Sequence, residues 1–151
     1  MIEAERIARE AHEGQFDKAG RPYVEHPARV AAWAARLDPD APSAVIEAAW
    51  LHDVLEDTPF TRDDLAARGI SAEAIAMVEA VTKRDGEPVE AYFERVRACP
   101  GAADVKRADL ADNTDPARLA LLDADRRAKL EAKYARAFGL LGIPPVHGAG
   151  Q

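Results

Sequence analysis

The sequence predicts an all-α protein of one domain. Apolar residues recur three and four positions apart in one stretch after another, which is the spacing of a single helix face. We find no alternation of apolar and polar residues of the kind a half-buried strand shows, and no internal repeat. A length of 151 residues suits one domain with a sizeable core. Together these observations favour a helical bundle.

The first half of the chain is predicted to form three helices. Glu3–His12 is amphipathic and is followed by a loop rich in glycine and proline. Pro27 suits the first position of the second helix, because its missing N–H would have no helical partner there. The segment Asp38–Pro42 breaks the chain, and Ser43 is predicted to cap a third helix that carries His52.

Start and stop signals also divide the second half into helices. Thr61 with Asp64 resembles a capping box, and Asp115 before Pro116 suits a cap followed by a first helical position. The predicted helices are a short one from Thr61 to near Gly69, one capped by Ser71, Val89–Ala98, Val105–Asn113, a short one after Pro116, and Asp125–Leu141. We expect one domain over residues 1–143 and a loose tail over 144–151.

Composition excludes several classes of function. The net charge of −7 argues against a nucleic-acid-binding protein, which would normally show a basic surface. No apolar run approaches the roughly 20 residues that span a bilayer, and the N-terminus lacks a secretory signal pattern. A single cysteine, Cys99, excludes an internal disulfide and a multi-thiolate metal site. A cytoplasmic protein with no membrane partner is expected.

The segment from His52 to Thr58 is the most informative part of the chain. At about 100° per residue, His52, Asp53, Glu56 and Asp57 fall within one arc of about 140° on a helix. Three carboxylates crowded beside an imidazole repel one another, and burying them unpaired is costly. A bound cation would remove that penalty, so we expect the chemistry here.

Further ligands are available elsewhere in the chain. A borderline divalent ion takes imidazole nitrogens and carboxylate oxygens, and His26, His52 and Asp53 offer three of them. A fourth is needed from farther along. Asp109 is a candidate, with Asn113 one helical turn beyond it on the same face.

Four blocks of sequence resemble a known family. They are His12-Glu13-Gly14-Gln15, Lys18 to Pro27, His52-Asp53 with Glu56-Asp57-Thr58, and Asp109 with Asn113. In this order they resemble the hydrolase domain of RelA/SpoT homologues, which belongs to the HD phosphohydrolase superfamily. Because the blocks extend over roughly residues 1 to 140, the chain is similar to the small stand-alone hydrolases of alarmones, the nucleotide signals of the stringent response.

The resemblance implies a fold, a cofactor and a set of site residues. It implies a single HD-domain helical bundle with a metal site between helices, and the family metal is usually Mn²⁺, with another divalent metal as the alternative. The metal ligands that it implies are His26, His52, Asp53 and Asp109. The acidic pair that handles the attacking water is Glu56 and Asp57. The positions that contact substrate phosphate and nucleoside are Lys18, Asn113 and Tyr134.

The resemblance therefore implies a metal-dependent phosphohydrolase that releases the 3′-pyrophosphate of guanosine 3′,5′-bis(diphosphate), called ppGpp below. The alternatives are an HD-type phosphatase acting on another phosphorylated nucleotide and a non-catalytic alarmone-binding module. Intact Glu56 and Asp57 speak against the last one. The partner is a phosphorylated nucleotide, and a homo-oligomer is left open.

The chain departs from the family at two positions that would contact the base. Where the family loop commonly has an arginine, this sequence has Asp17, and Leu130 stands where some relatives carry another arginine. An anion should weaken binding of a tetra-anionic nucleotide, so Asp17→Arg is expected to improve turnover. The neighbouring Phe16 is expected to be a core aromatic rather than a stacking face.

Overall fold

The computed structural model describes residues Met1 to His147, and the all-α prediction is confirmed for them. Phe16 and Pro22 form an isolated antiparallel bridge, and this part of the chain contains no strand. No helix among the described residues is long and apolar enough to cross a membrane. The helices are α1 (Glu3–Ala11), α2 (Glu25–Leu37), α3 (Ser43–Leu51), α4 (Val54–Asp57), α5 (Arg62–Ala67), α6 (Ala72–Val81), α7 (Val89–Ala98), α8 (Ala102–Asn113), α9 (Pro116–Leu119) and α10 (Ala124–Leu141).

Three of the predicted helix starts are confirmed by hydrogen bonds. The Thr61 hydroxyl accepts from the Asp64 N–H, and the Asp64 carboxylate accepts from the Thr61 N–H, which completes the capping box of α5. The Ser71 hydroxyl accepts from the Ala74 N–H at the start of α6. Asp115 caps α9, with Pro116 as its first residue.

Two other predicted starts are wrong. Ser43 is the first residue of α3 rather than its cap, since Pro42 occupies the cap position without a side-chain hydrogen bond. Pro27 is the third residue of α2, which begins two residues earlier at Glu25. Proline is tolerated at this position because the first N–H groups of a helix have no intrahelical partner.

The predicted helix through His52 is interrupted by a turn. α3 ends at Leu51, and the separate one-turn helix α4 begins at Val54. His52 and Asp53 keep right-handed backbone angles, with φ of −59° and −102°. The turn therefore separates the two helices and places the His52 and Asp53 side chains close to Asp109 and His26.

Helix α3 lies at the centre of the bundle and packs against α1, α2, α6 and α8. Most of its residues are apolar, and four of them are buried: Val45, Ala48, Ala49 and Leu51. Helix α2 packs against both α3 and α8. His26 near the start of α2, the turn after α3 and the middle of α8 are therefore brought to the same region.

The segment after α10 packs against the bundle as far as His147. Val146 is buried, His147 Nε2 lies 2.9 Å from the Ala111 carbonyl, and the His147 ring meets Trp33 edge-on. The expected loose tail over 144–151 is therefore wrong for these two residues, because an apolar side chain and an imidazole both find partners on the helices. Residues 148–151 of that prediction lie outside the described residues.

We expect Gly101→Ala to destabilise the fold at the start of α8. Gly101 has φ of +83°, and an added Cβ would lie 2.5 Å from Met77 Cε. Backbone strain, with a smaller cost for displacing the end of the Met77 side chain, should lower the free energy of unfolding by about 1–3 kcal/mol. Gly86→Ala is the matched control, because φ there is +75° and no described heavy atom lies within 4 Å of the added Cβ. Urea unfolding of both variants measures the difference, and equal losses would contradict the contact with Met77.

Candidate active site

The side chains of the predicted metal ligands meet at one point in the structure. His26 comes from α2, His52 and Asp53 from the turn between α3 and α4, and Asp109 from α8. His26 Nε2 lies 3.0 Å from Asp109 Oδ1, and His52 Nε2 lies 3.0 Å from Asp53 Oδ2. The two Nε2 atoms are 3.2 Å apart. Both imidazoles and Asp109 are buried.

In each imidazole, the hydrogen bond made by Nδ1 determines whether Nε2 carries a proton or a free lone pair. His52 Nδ1 lies 2.8 Å from the Ala49 carbonyl, which can only accept, so Nδ1 carries the proton. His26 Nδ1 lies 2.7 Å from the Asp112 carboxylate and is a donor for the same reason. In the neutral rings, both Nε2 atoms therefore present lone pairs to each other across 3.2 Å. Two facing lone pairs beside two carboxylates fit a metal cation, whose imidazole ligands are usually oriented in this way.

The carboxylates of this cluster are ionised at neutral pH. Without a metal ion, burial opposes protonation of His52, but the charges of Asp53 and Asp109 raise its pKa. The protonated His52 and its hydrogen bond in turn outweigh the effect of burial on Asp53 and leave the pKa of Asp53 at about 2. A bound metal ion would replace that proton and leave the neutral ring as a ligand. Burial likewise opposes ionisation of Asp109, yet Lys106 and the two histidines hold its pKa well below the usual range. Lys106 Nζ lies 3.0 Å from Asp109 Oδ2. The site thus offers two anionic oxygen ligands with the two imidazoles.

The acidic pair lies beside the metal ligands. Oxygens of Asp53, Glu56 and Asp57 lie within 4.8 Å of one another. Glu56 Oε1 accepts a hydrogen bond of 3.0 Å from the Lys83 backbone N–H. Partial burial and the charges of Asp53 and Glu56 raise the pKa of Asp57. A carboxylate with a raised pKa is better suited to accept a proton near neutral pH.

Sequence reasoning missed two residues that hold the predicted metal ligands in place. The Tyr23 hydroxyl donates to Asp53 Oδ2 at 2.6 Å. Asp112 is fully buried and accepts from both His26 and Arg29. A signal for Asp112 was present, since it follows Asp109 by three residues and therefore lies on nearly the same face of α8.

A cavity of about 540 Å³ extends from the metal ligands to α10, which is a size that takes a small-molecule ligand. Of the residues predicted to contact substrate, Asn113 and Tyr134 line this cavity, whereas Lys18 is exposed and is not among the lining residues. Glu56 and Asp57 lie with the metal ligands in its wall. The cations in its wall are Lys83, Lys106, Arg118, Lys133 and Arg136.

The loop before α2 is organised by Asp17. Asp17 Oδ1 accepts hydrogen bonds of 2.9 Å from the backbone N–H groups of Ala19 and Arg21, and Asp17 also lines the cavity. The expectation that Phe16 is a core aromatic is wrong, because 66% of its surface is exposed. Phe16 pairs through its backbone with Pro22, and this short bridge keeps its ring outside the bundle.

Comparisons with known proteins identify the family of this chain. A family model described as HD domain matches residues 4–131. Guanosine-3′,5′-bis(diphosphate) 3′-pyrophosphohydrolase of Haemophilus influenzae is 37% identical over 133 residues, which are 82% of this chain and 19% of that protein. The protein of the same name from Aquifex aeolicus is 32% identical over 147 residues, 91% of this chain and 21% of its own length. The chain thus spans about a fifth of the length of these curated relatives.

A solved structure shares the fold. It is described as a metazoan ortholog of SpoT that hydrolyzes ppGpp, and it aligns with a TM-score of 0.78 at 23% identity. The alignment covers 92% of this chain and 83% of the other. At this identity the likeness supports the arrangement of helices alone. The match of the family model over most of the chain, with the His52-Asp53 pair at the centre of the site, shows that the chain belongs to the HD domain family.

Proposed function

We propose that this protein is a Mn²⁺-dependent phosphohydrolase of the cytoplasm that removes the 3′-pyrophosphate of ppGpp. The observation that carries the proposal is the convergence of the His26 and His52 lone pairs with Asp53 and Asp109 at one end of a nucleotide-sized cavity. Relatives that match 82% and 91% of the chain are named for this reaction. Family membership itself implies a divalent metal site.

The residues present fit a divalent ion. His26, His52, Asp53 and Asp109 would hold it through two neutral nitrogens and two carboxylates, a mixed set that suits Mn²⁺ and similar ions. A divalent ion bound there lowers the pKa of a water molecule and offsets negative charge on a phosphate. Hydrogen bonds keep these ligands oriented: Tyr23 donates to Asp53, and Asp112, which also accepts from Arg29, accepts from His26.

Asp57 and Glu56 handle the protons of the reaction. Asp57 accepts a proton from the water that attacks the phosphorus next to the 3′-oxygen. The bond between that phosphorus and the 3′-oxygen breaks, the leaving oxygen takes up a proton from solvent while Asp57 returns its proton to solvent, and GDP and pyrophosphate are released. Glu56 is fixed by the Lys83 N–H, so its free oxygen is held beside Asp57 where it orients the water.

The cations of the cavity wall accommodate the phosphates. Lys83 and Lys133 are exposed, and within residues 1–147 neither forms an ion pair with a carboxylate. Partial burial and the nearby positive charges of Lys83, Lys106 and Lys18 lower the pKa of Lys133. The same group of positive charges would attract the phosphates of a bound nucleotide. Asn113 and Tyr134 contact the nucleoside, and Lys18 reaches a phosphate from the loop.

A second candidate is an HD-type phosphatase for another phosphorylated nucleotide. It is favoured by Asp17, which places a negative charge in the cavity wall. The two functions are separated by assaying the metal-loaded protein against ppGpp, a deoxynucleoside monophosphate and a dinucleotide phosphate. We expect equimolar pyrophosphate and GDP from ppGpp. Orthophosphate from another nucleotide, with no pyrophosphate from ppGpp, would support the second candidate instead.

Asp17→Asn is expected to lower KM for ppGpp. Asparagine is a better replacement than the arginine that the sequence suggested, because arginine cannot accept the two loop hydrogen bonds that Asp17 Oδ1 accepts. Asparagine keeps that acceptor and removes the charge, which is worth about 1 kcal/mol, or about fivefold in KM. Asp63→Asn on the exposed start of α5 is the matched control. An unchanged KM for both variants would mean that Asp17 does not face the nucleotide.

A further inference from the structure

The loop between α1 and α2 reaches across to the acidic end of α4. Helix α4 has only four residues, and an isolated turn of helix does not persist in water. Its last carbonyl groups have no partner within the helix. One of them, Asp57 O, accepts a hydrogen bond of 3.0 Å from Gln15 Nε2, a residue 42 positions away.

His12 determines which way the Gln15 amide faces. Because Asp57 O can only accept, the atom of Gln15 that faces it must be the amide nitrogen. Gln15 Oε1 then faces His12 Nδ1 at 2.8 Å, so Nδ1 carries the proton. A flipped amide would set two oxygens against each other at Asp57. The three groups therefore form one directed chain, from the imidazole through the amide to the carbonyl of Asp57.

The surroundings of His12 indicate that this chain serves the site. His12 is only 2% exposed, and its Nε2 has no hydrogen-bond partner among the described residues. Buried polar atoms are nearly always paired, so an unpaired one calls for an explanation, and a role at a functional site is one of them. The His12 ring also lies 5.0 Å from the ring of Tyr23, whose hydroxyl holds Asp53. The same loop thus contacts Asp57 in α4 and Asp53 in the preceding turn.

We infer that Gln15 is a positioning residue for Asp57, with His12 holding the Gln15 amide in the donating orientation. The inference rests on the proposed function in one respect, which is that Asp57 accepts the proton of the attacking water. Gln15 does not itself line the cavity and makes no hydrogen bond to the predicted metal ligands, so its effect must pass through the position of Asp57.

Kinetics of Gln15 and His12 variants test the inference. Gln15→Ala and the nearly isosteric Gln15→Glu, which cannot donate to Asp57 O, should lower kcat about 10- to 100-fold. KM and Mn²⁺ affinity should stay close to wild type. His12→Leu should lower kcat by a similar factor. His12→Asn should keep kcat near the wild-type value, because the asparagine amide can donate to Gln15 from near the position of His12 Nδ1. Glu13→Gln, on the exposed neighbour, is the control.

A double-mutant cycle separates positioning from general loss of structure. In an Asp57→Ala background, Gln15→Ala should have no further effect on kcat, because the group that it positions is gone. An equal loss of kcat in both backgrounds would overturn the inference, and so would a Gln15→Glu variant with wild-type kcat.

Amide hydrogen exchange needs no substrate and therefore distinguishes this inference from the proposed function. Exchange at Asp57 and Thr58, whose N–H groups bond to Asp53 and Val54 carbonyls, should be faster in Gln15→Ala than in Glu13→Gln. Unchanged exchange at these amides would overturn the inference even if ppGpp is hydrolysed. Faster exchange in a protein that releases no pyrophosphate would support the positioning of Asp57 while the proposed substrate fails.

Discussion

Replacing His52 by alanine is expected to abolish metal binding and turnover together. The lone pair of His52 Nε2 faces that of His26 Nε2. Without His52, only His26 and the two carboxylates remain to hold a metal ion. A divalent ion contributes several kcal/mol of transition-state stabilisation, so kcat should fall more than about a thousandfold. Metal content by mass spectrometry and Mn²⁺ titration by calorimetry measure the first effect, and pyrophosphate release measures the second.

His52→Gln and His147→Ala serve as controls for this experiment. Glutamine preserves most of the buried volume of His52, so a folded His52→Gln protein without metal shows that the ligand rather than packing was lost. His147 contacts Ala111 and Trp33 away from the ligands, and its replacement should leave metal binding intact. A His52→Ala protein that still binds one Mn²⁺ with wild-type affinity would refute the assigned ligand set.

Asp57→Ala is expected to retain the metal and lose the rate. Asp57 lies beside the cluster but is not among the converging ligands, so Mn²⁺ affinity should change little. General acid–base catalysis contributes about 10²- to 10⁴-fold, and kcat should fall by that amount. Steady-state kinetics at saturating Mn²⁺, with calorimetry on the same preparation, separates the two effects.

The matched control is Asp63→Ala, which changes the net charge equally on the exposed first turn of α5. Asp57→Asn removes the proton acceptor while keeping the shape of the side chain, and it should be as slow as Asp57→Ala. Wild-type kcat in either Asp57 variant would show that another group accepts the proton. Loss of metal with loss of rate would place Asp57 among the ligands instead.

Most of the fold was predictable because helix starts are local. The capping box at Thr61 and the caps at Ser71 and Asp115 depend on residues within four positions of one another. The turn at His52 and Asp53 was not visible, since both residues keep right-handed backbone angles and neither is a helix breaker. The packing of Val146 and His147 was also missed, because it depends on surfaces that exist only after α2, α8 and α10 assemble.

The site was predictable only in part for a related reason. The His52-Asp53 pair is local, whereas His26 and Asp109 were only candidates by residue type, and the family resemblance supplied their assignment as ligands. The bond between His26 and Asp112 joins residues 86 positions apart, and that between Gln15 and Asp57 joins residues 42 apart. No local pattern encodes such pairs. Asp17 illustrates the same limit, since its role in holding the loop appeared only with the backbone geometry.

Hydrolysis of ppGpp in water enriched in heavy oxygen tests the central claim most directly. Purified protein loaded with Mn²⁺ would be incubated with ppGpp, and the products would be followed by phosphorus NMR and mass spectrometry. Attack of water at phosphorus predicts one heavy oxygen in pyrophosphate and none in the 3′-hydroxyl of GDP. Release of orthophosphate in place of pyrophosphate, or heavy oxygen in the GDP hydroxyl, would contradict the account.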